Sequence, residues 1–250
     1  MAEASPAPRG TPGPGSILPL RVEGLGYRAR GAWLLRDVSF TLAAGGTSVL
    51  LGPNGAGKSL TLRLCHGMLR PAAGRVRWNG APREVRARQA MVFQRPRVLR
   101  RSVRANLAFA LRARRVPRAL RATRIREALA VTGLSALAGR PAHRLSEGER
   151  HRLALARAFV LAPEVVFLDE PTASLDPAAT VALEGAIRRI AAEGTKVVLS
   201  THDLGQARRL ADEVLFLHRG RLLEKTPAEV FFRGPRTPEG AAFLKGELLP

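Results

Sequence analysis

Eight consecutive residues carry the sharpest chemistry in the chain: Gly52, Pro53, Asn54, Gly55, Ala56, Gly57, Lys58 and Ser59. The glycines let the backbone curl tightly and turn its N–H groups inward, which makes a nest for anionic oxygens. An apolar run over 47–51 precedes them and a helical pattern from about Lys58 to Met68 follows. The helix start adds unpaired N–H groups and the positive end of its dipole. This strand–loop–helix order is that of a P-loop, in which Lys58 reaches the β- and γ-phosphates and the Ser59 hydroxyl ligates Mg²⁺. Lysine is scarce: it stands at 58, 196, 225 and 245, while the other 37 of 41 basic residues are arginine. A compact ammonium on a flexible stem suits a phosphate cradle better than a planar guanidinium fork.

A second group lies more than a hundred residues on. Asp169 ends an apolar run, Val165 to Leu168, where a carboxylate can hold Mg²⁺ directly or through water. Glu170 next to it points to the other side of the strand end, positioned to polarise a water for in-line attack on the γ-phosphorus. His202 follows the run 197–201 and can donate to the same phosphate. Gln94 ends another short apolar run. In doubly wound α/β proteins, ligands gather at the carboxyl ends of the strands, which is where all of these fall.

The elements that must position them read as follows. Residues 1–16, rich in Pro, Gly and Ala, form a disordered tail. Ile17–Val22 and Val38–Leu42 are strands, with Tyr27, the single tyrosine, on the loop between them, where an aromatic can stack on a base. Arg75–Trp78 is a strand ending in an Asn79-Gly80 turn. Then the texture changes. Ser102–Arg115, Pro117–Val131 and Glu147–Leu161 are helical, a block inserted between two strand-rich halves. Alternation of strand and helix returns with helix Pro177–Ala192, strand Lys196–Leu199, helix Leu204–Leu210 and strand Val214–Leu217. A hairpin through Arg219-Gly220 and a helix near Pro227–Phe232 close the fold. Residues 235–250 are a short tail with one helical turn pattern around 239–245.

Composition excludes several classes. Cys65 is the only cysteine, so no internal disulfide forms, and its plain role is that of a small buried hydrophobe. The histidines have no transition-metal spacing. No secretory leader pattern and no 18-residue apolar run are present, so the expected chain is soluble and cytoplasmic. The net charge of +21 by itself suits nucleic acid or an anionic membrane surface. Residues 95–160 hold 17 arginines against Glu127, Glu147 and Glu149, so most of the excess sits in the helical block. A general bias towards arginine and alanine is the plainer explanation. The alternative expectation is docking of this block against a membrane partner beneath anionic head-groups.

Taken in order, the loop 52–59, Gln94, Leu145-Ser146-Glu147-Gly148-Glu149, the strand 165–170, Ser174-Leu175-Asp176 and His202 resemble the motifs of the nucleotide-binding subunit of ATP-binding-cassette (ABC) transporters. The resemblance covers 17–234. It implies an α/β fold: a P-loop NTPase core with a mostly parallel sheet covered by helices, an N-terminal antiparallel β element, and an α-helical subdomain inserted at about 95–161. It implies ATP and Mg²⁺ as ligands, with Glu170, His202, Lys58 and Gln94 catalytic and Ser59, Gln94 and Asp169 on the metal. Tyr27, Gly52 to Ser59 and Leu60 would hold ATP. Ser146, Gly148, Glu149 and Asp176 would reach it from a second copy paired head to tail. Implied partners are that copy, transmembrane permease subunits and, indirectly, an extracytoplasmic anion-binding protein, with no nucleic acid. The implied location is the cytoplasmic face of the inner membrane.

Residues 201–212, 216–220 and the tail from Phe231 to Leu248 are similar to bacterial tungstate importer ATPases, with phosphate and molybdate importers as near relatives. Three positions depart from the family pattern. Glu147 and Glu149 replace the usual glycine and glutamine, and Glu147 is expected to bring negative charge towards the γ-phosphate. Leu60 stands where threonine is frequent and removes a hydroxyl near the α-phosphate. Two other readings stay open: a soluble ABC ATPase of a nucleic-acid process, and a nucleotide-binding regulatory module with little hydrolysis.

Overall fold

Apolar runs without alternation, such as 47–51 and 165–168, are the pattern of strands covered on both faces. The computed structural model describes residues 15–247, and every residue of those two strands is buried. In chain order the strands are β1 (Leu20–Ala29), β2 (Ala32–Leu42), β3 (Thr47–Leu51), β4 (Ala73–Arg77), β5 (Gln89–Val92), β6 (Val165–Asp169), β7 (Lys196–Thr201), β8 (Glu213–His218) and β9 (Arg221–Pro227). The helices are α1 (Lys58–His66), α2 (Pro82–Ala87), α3 (Val103–Ala113), α4 (Arg118–Val131), α5 (Glu147–Phe159), α6 (Pro177–Ala192), α7 (Leu204–Leu210), α8 (Ala228–Arg233) and α9 (Pro238–Lys245).

A six-stranded sheet runs β5-β6-β7-β3-β8-β9, parallel except for the antiparallel edge strand β9. A three-stranded antiparallel sheet, β2-β1-β4, packs beside it. Successive strand residues face opposite sides. Accordingly Val165 and Phe167 enter the core between the sheets with Leu62, Leu64 and Cys65 of α1. Val166 and Leu168 enter the opposite core with Leu183, Ile187 and Ile190 of α6. The helical block has its own core, built from Val103, Leu107, Leu111, Ile125, Leu129 and Leu153.

Several expectations need revision. Tyr27 lies not on a loop but inside β1, opposite Leu35, because β1 and β2 each run further than their apolar centres and are joined by a tight turn at 30–31. The helix α2 has no counterpart in the sequence reading; it is a six-residue turn started by Pro82. Residues 1–14 of the expected tail lie outside the described residues. Ser16 and Ile17 are already tied down, since the Ser16 hydroxyl and Ile17 N–H both donate to Glu164. The terminal segment is more than a tail. Its helix α9 starts from a Thr237 cap and lays Phe243 against Phe216, with ring centroids 5.4 Å apart.

Candidate functional site

The carboxyl ends of β3, β6 and β7 lie side by side because register pairs Leu51 with Thr201 and Asp169 with Ser200. Side chains just past those ends therefore converge. The loop between β3 and α1 depends on glycine at two places. Gly52 has φ 153° and a Cβ there would collide with the Leu217 carbonyl; Gly57 has φ 98° and a Cβ would strike Leu35. Any side chain at either position would push the loop off the sheet.

Lys58, the first residue of α1, is 4 % exposed, and its ammonium donates to the carbonyls of Gly52 at 2.8 Å and Pro53 at 3.0 Å. The Glu170 carboxylate lies 3.5 Å away. Burial pulls the Lys58 ammonium below its ordinary range, and the neighbouring Glu170 and Asp169 carboxylates oppose that. The Ser59 hydroxyl donates to Asp169 Oδ1 at 2.6 Å. Ser200, which sequence reasoning overlooked, donates to the same oxygen at 2.8 Å, and Arg63 approaches Oδ2 at 3.6 Å. Nothing in its type marked Ser200, which stands one residue before the end of β7, opposite Asp169 of β6.

Glu170 has φ 43°, a left-handed conformation that an ordinary residue adopts only under constraint. The constraint is visible, for its N–H donates to both the Ser200 carbonyl and the Ser200 hydroxyl at 3.1 Å. His202 Nδ1 lies 3.4 Å from Glu170 Oε1. A cavity of about 340 Å³ opens over the group, lined by Leu34, Asn54 to Leu60 and Glu170. A second, of about 590 Å³, runs from the outer lip of the loop, Pro53 to Ala56, past His202, His218 and Arg219 to the end of α9. The hydroxyl of Ser59 beside the Asp169 carboxylate is a hard-oxygen donor pair, the chemistry that Mg²⁺ takes, so these residues fit that ion. Among the described residues no cluster of three or more His, Cys, Asp or Glu side chains stands ready for a metal.

Other expected site residues lie elsewhere. Gln94 is exposed two residues past β5 and lines neither cavity, and half-buried Tyr27 packs on the core between the sheets. Leu34 of β2 is the apolar wall that sequence reading missed. Ser146, Gly148, Glu149 and Asp176 form a separate group, away from both cavities. Ser146 caps α5 in a capping box: its hydroxyl accepts from Glu149 N–H at 3.2 Å, and Glu149 accepts from Ser146 N–H at 2.8 Å. Asp176 caps α6 through Ala179 N–H at 2.7 Å. Gly148 lets the two helix starts touch, because a Cβ there would lie 2.5 Å from that of Ala179. The exposed Glu147 carboxylate accepts from the Ser174 hydroxyl at 2.6 Å.

A glycine-lined loop, a buried lysine on it, and two carboxylates with a serine at the strand ends beside it define a P-loop nucleoside triphosphatase. The family model for ABC transporters matches residues 35–173, more than half of the chain. The chain is 34 % identical over 248 residues to a phosphate import ATP-binding protein of Natronomonas pharaonis, covering 92 % of this chain and 87 % of the relative. To a molybdate/tungstate import ATP-binding protein of Thermococcus kodakarensis it is 36 % identical over 231 residues, 90 % and 70 % of the two chains. The solved structure of CbiO1 from Clostridium perfringens, described as part of the ABC transporter complex CbiONQ, superposes with a TM-score of 0.80 at 29 % identity, covering 87 % and 91 %. The chain thus belongs to the ABC transporter family. It is an importer's ATP-binding subunit, an ATPase whose hydrolysis is coupled to transport. Among the described residues no helix is long and apolar enough to cross a membrane.

Proposed function

We propose that the chain hydrolyses ATP with Mg²⁺ at the cytoplasmic face of the plasma membrane to energise import of a small oxyanion, tungstate. The observation that carries the catalytic part is that Lys58, Ser59 and Glu170 line one cavity, with the Asp169 carboxylate behind them on the Ser59 hydroxyl. The loop amides and Lys58 bind and orient the β- and γ-phosphates, with Leu60 against the α-phosphate side. Ser59 and Asp169 would hold Mg²⁺, which would supply charge neutralisation at the phosphates. Gln94 would be a further ligand of that ion and would touch the permease. Glu170 accepts the proton of the attacking water, and His202 donates to the γ-phosphate and orients Glu170. Tyr27 supplies the aromatic face for adenine.

The remaining part of the site comes from a second copy. Ser146, Gly148, Glu149 and Asp176 line neither cavity beside their own loop, and a helix start with a hydroxyl is a ready anion cradle. A head-to-tail, isologous pair brings each group to the other's nucleotide, and closure excludes water from the reacting phosphate. Permease subunits read that closure, and an extracytoplasmic binding protein delivers the anion to them.

For tungstate, the support is the likeness of residues 201–212, 216–220 and the tail to tungstate importers; phosphate and molybdate are the alternatives. Glu170→Gln tests the mechanism. The variant should pair in ATP by light scattering while hydrolysis falls by about 10²–10⁴-fold. Near-normal turnover removes Glu170 from the base role. Reconstituted with permease and binding protein, hydrolysis should rise with tungstate and not with phosphate or molybdate. A rise with phosphate instead overturns the substrate assignment.

A further inference from the structure

The segment from Glu170 to Asp176 is short and held from two sides. On one side Gln206 of α7 donates to the Thr172 hydroxyl at 2.7 Å, which fixes it to the helix that follows His202. On the other side stands the start of α5. Glu147 accepts from Ser174 at 2.6 Å, and Gly148 lies against Ala179. One turn further on, buried His151 faces the Pro171 carbonyl. Within the segment, Ala173 N–H donates to the Glu170 carbonyl at 3.4 Å and Leu175 N–H to that of Thr172 at 3.0 Å. Ser174 is thus one tight turn from the residue whose carboxylate faces Lys58.

We propose that Glu147 is a positioning residue for hydrolysis that acts through Ser174, joining the α5 anion cradle to the backbone that aims Glu170. It rests on the head-to-tail pairing of two copies. A phosphate brought by the second copy presses on Ser146 and Gly148, and the Glu147–Ser174 hydrogen bond passes that displacement to the turn carrying Glu170. One site would thereby sense the loading of the other. The same bond turns the Glu147 carboxylate towards its own chain, so its charge is spent on a hydroxyl rather than on the γ-phosphate. A glycine in that position could make no such bond.

The test is a double-mutant cycle on the full chain. Glu147→Ala and Ser174→Ala should each lower kcat about 3–10-fold, as expected for one exposed hydrogen bond to a charged group, with KM for ATP within about twofold of the parent. The double variant should be no slower than the slower single variant. Glu147→Gln, whose amide oxygen still accepts from Ser174, should retain at least a third of the parent rate. Multiplying losses in the double variant would overturn the proposal. So would a faster Glu147→Gln enzyme, which would mean that the charge itself repels the phosphate. Each variant is also made with Glu170→Gln and followed by light scattering in ATP. Unchanged pairing is the expected result, and loss of pairing in Glu147→Ala would make Glu147 an interface residue and overturn its positioning role. If the parent never pairs, the head-to-tail arrangement falls, while the cycle on kcat still decides whether 147 and 174 act as one.

Discussion

Gly148→Ala tests the packing of the two helix starts. The added Cβ would sit 2.5 Å from the Ala179 Cβ, whereas methyl carbons rest at about 3.5–4.0 Å. The helix starts must therefore part by about 1–1.5 Å. Overpacking of this kind costs about 1–3 kcal/mol. Alanine's advantage over glycine within a helix, about 1 kcal/mol, offsets part of it. The net loss of stability should be no more than about 2 kcal/mol, a fall in Tm of about 4–8 °C for a chain of this size. Catalysis is far less tolerant, since a misplacement of about 1 Å costs on the order of 10²-fold in rate. Steady-state hydrolysis should thus collapse in a protein that still unfolds cooperatively in urea. Exchanging the sizes, Gly148→Ala with Ala179→Gly, leaves the new methyl an ordinary 3.5 Å from the Ala179 Cα position and should recover most of the rate. Parent-like turnover in Gly148→Ala alone, or no recovery in the exchanged pair at equal stability, would refute the reasoning.

Two further outcomes follow from buried ionisable groups. Burial pushes the Cys65 thiol up to about 12, so at pH 8 only about one molecule in 10⁴ carries the reactive thiolate; native protein should resist a thiol reagent that labels it rapidly in guanidinium. Burial also pushes the Glu213 carboxyl up, but Lys196, Lys225 and the Ser48 hydroxyl outweigh it and hold it below its ordinary value of 4.5. A carboxylate lowered in this way contributes stability above its unfolded pKa and loses it as pH falls through the folded value. Glu213→Gln strands buried Lys196 and should cost about 2–3 kcal/mol at pH 7, less than for a fully buried pair because the carboxylate is 22 % exposed. Denaturation at a series of pH values should show that gap narrowing below pH 4.5, and a constant gap would contradict the assignment.

The core of the fold was legible because its strands are unbroken apolar runs and its helices have capped or proline-marked starts; Pro177–Ala192 and Leu204–Leu210 were read with their observed limits. What periodicity could not show was pairing. The full lengths of β1 and β2, and with them the place of Tyr27, depend on each strand having the other as neighbour. The docking of α9 depends on a ring, Phe216, in a strand 27 residues earlier. At the site, the loop and the acidic pair announced themselves by type and spacing. Ser200 and Leu34 did not, because a serine and a leucine acquire a role there only from the strand beside them. The contact between Glu147 and Ser174 was hidden for the same reason: the two residues lie 27 positions apart in sequence.

The left-handed backbone of Glu170 affects how a saturation library at that position must be interpreted. Asparagine and aspartate tolerate this geometry, whereas valine, isoleucine and threonine resist it strongly. A β-branched replacement would therefore twist the strand end and drag Asp169 with it, failing for a conformational reason before its lost carboxylate mattered. Ranking such variants by activity alone would mix two causes, and melting curves taken alongside would separate them.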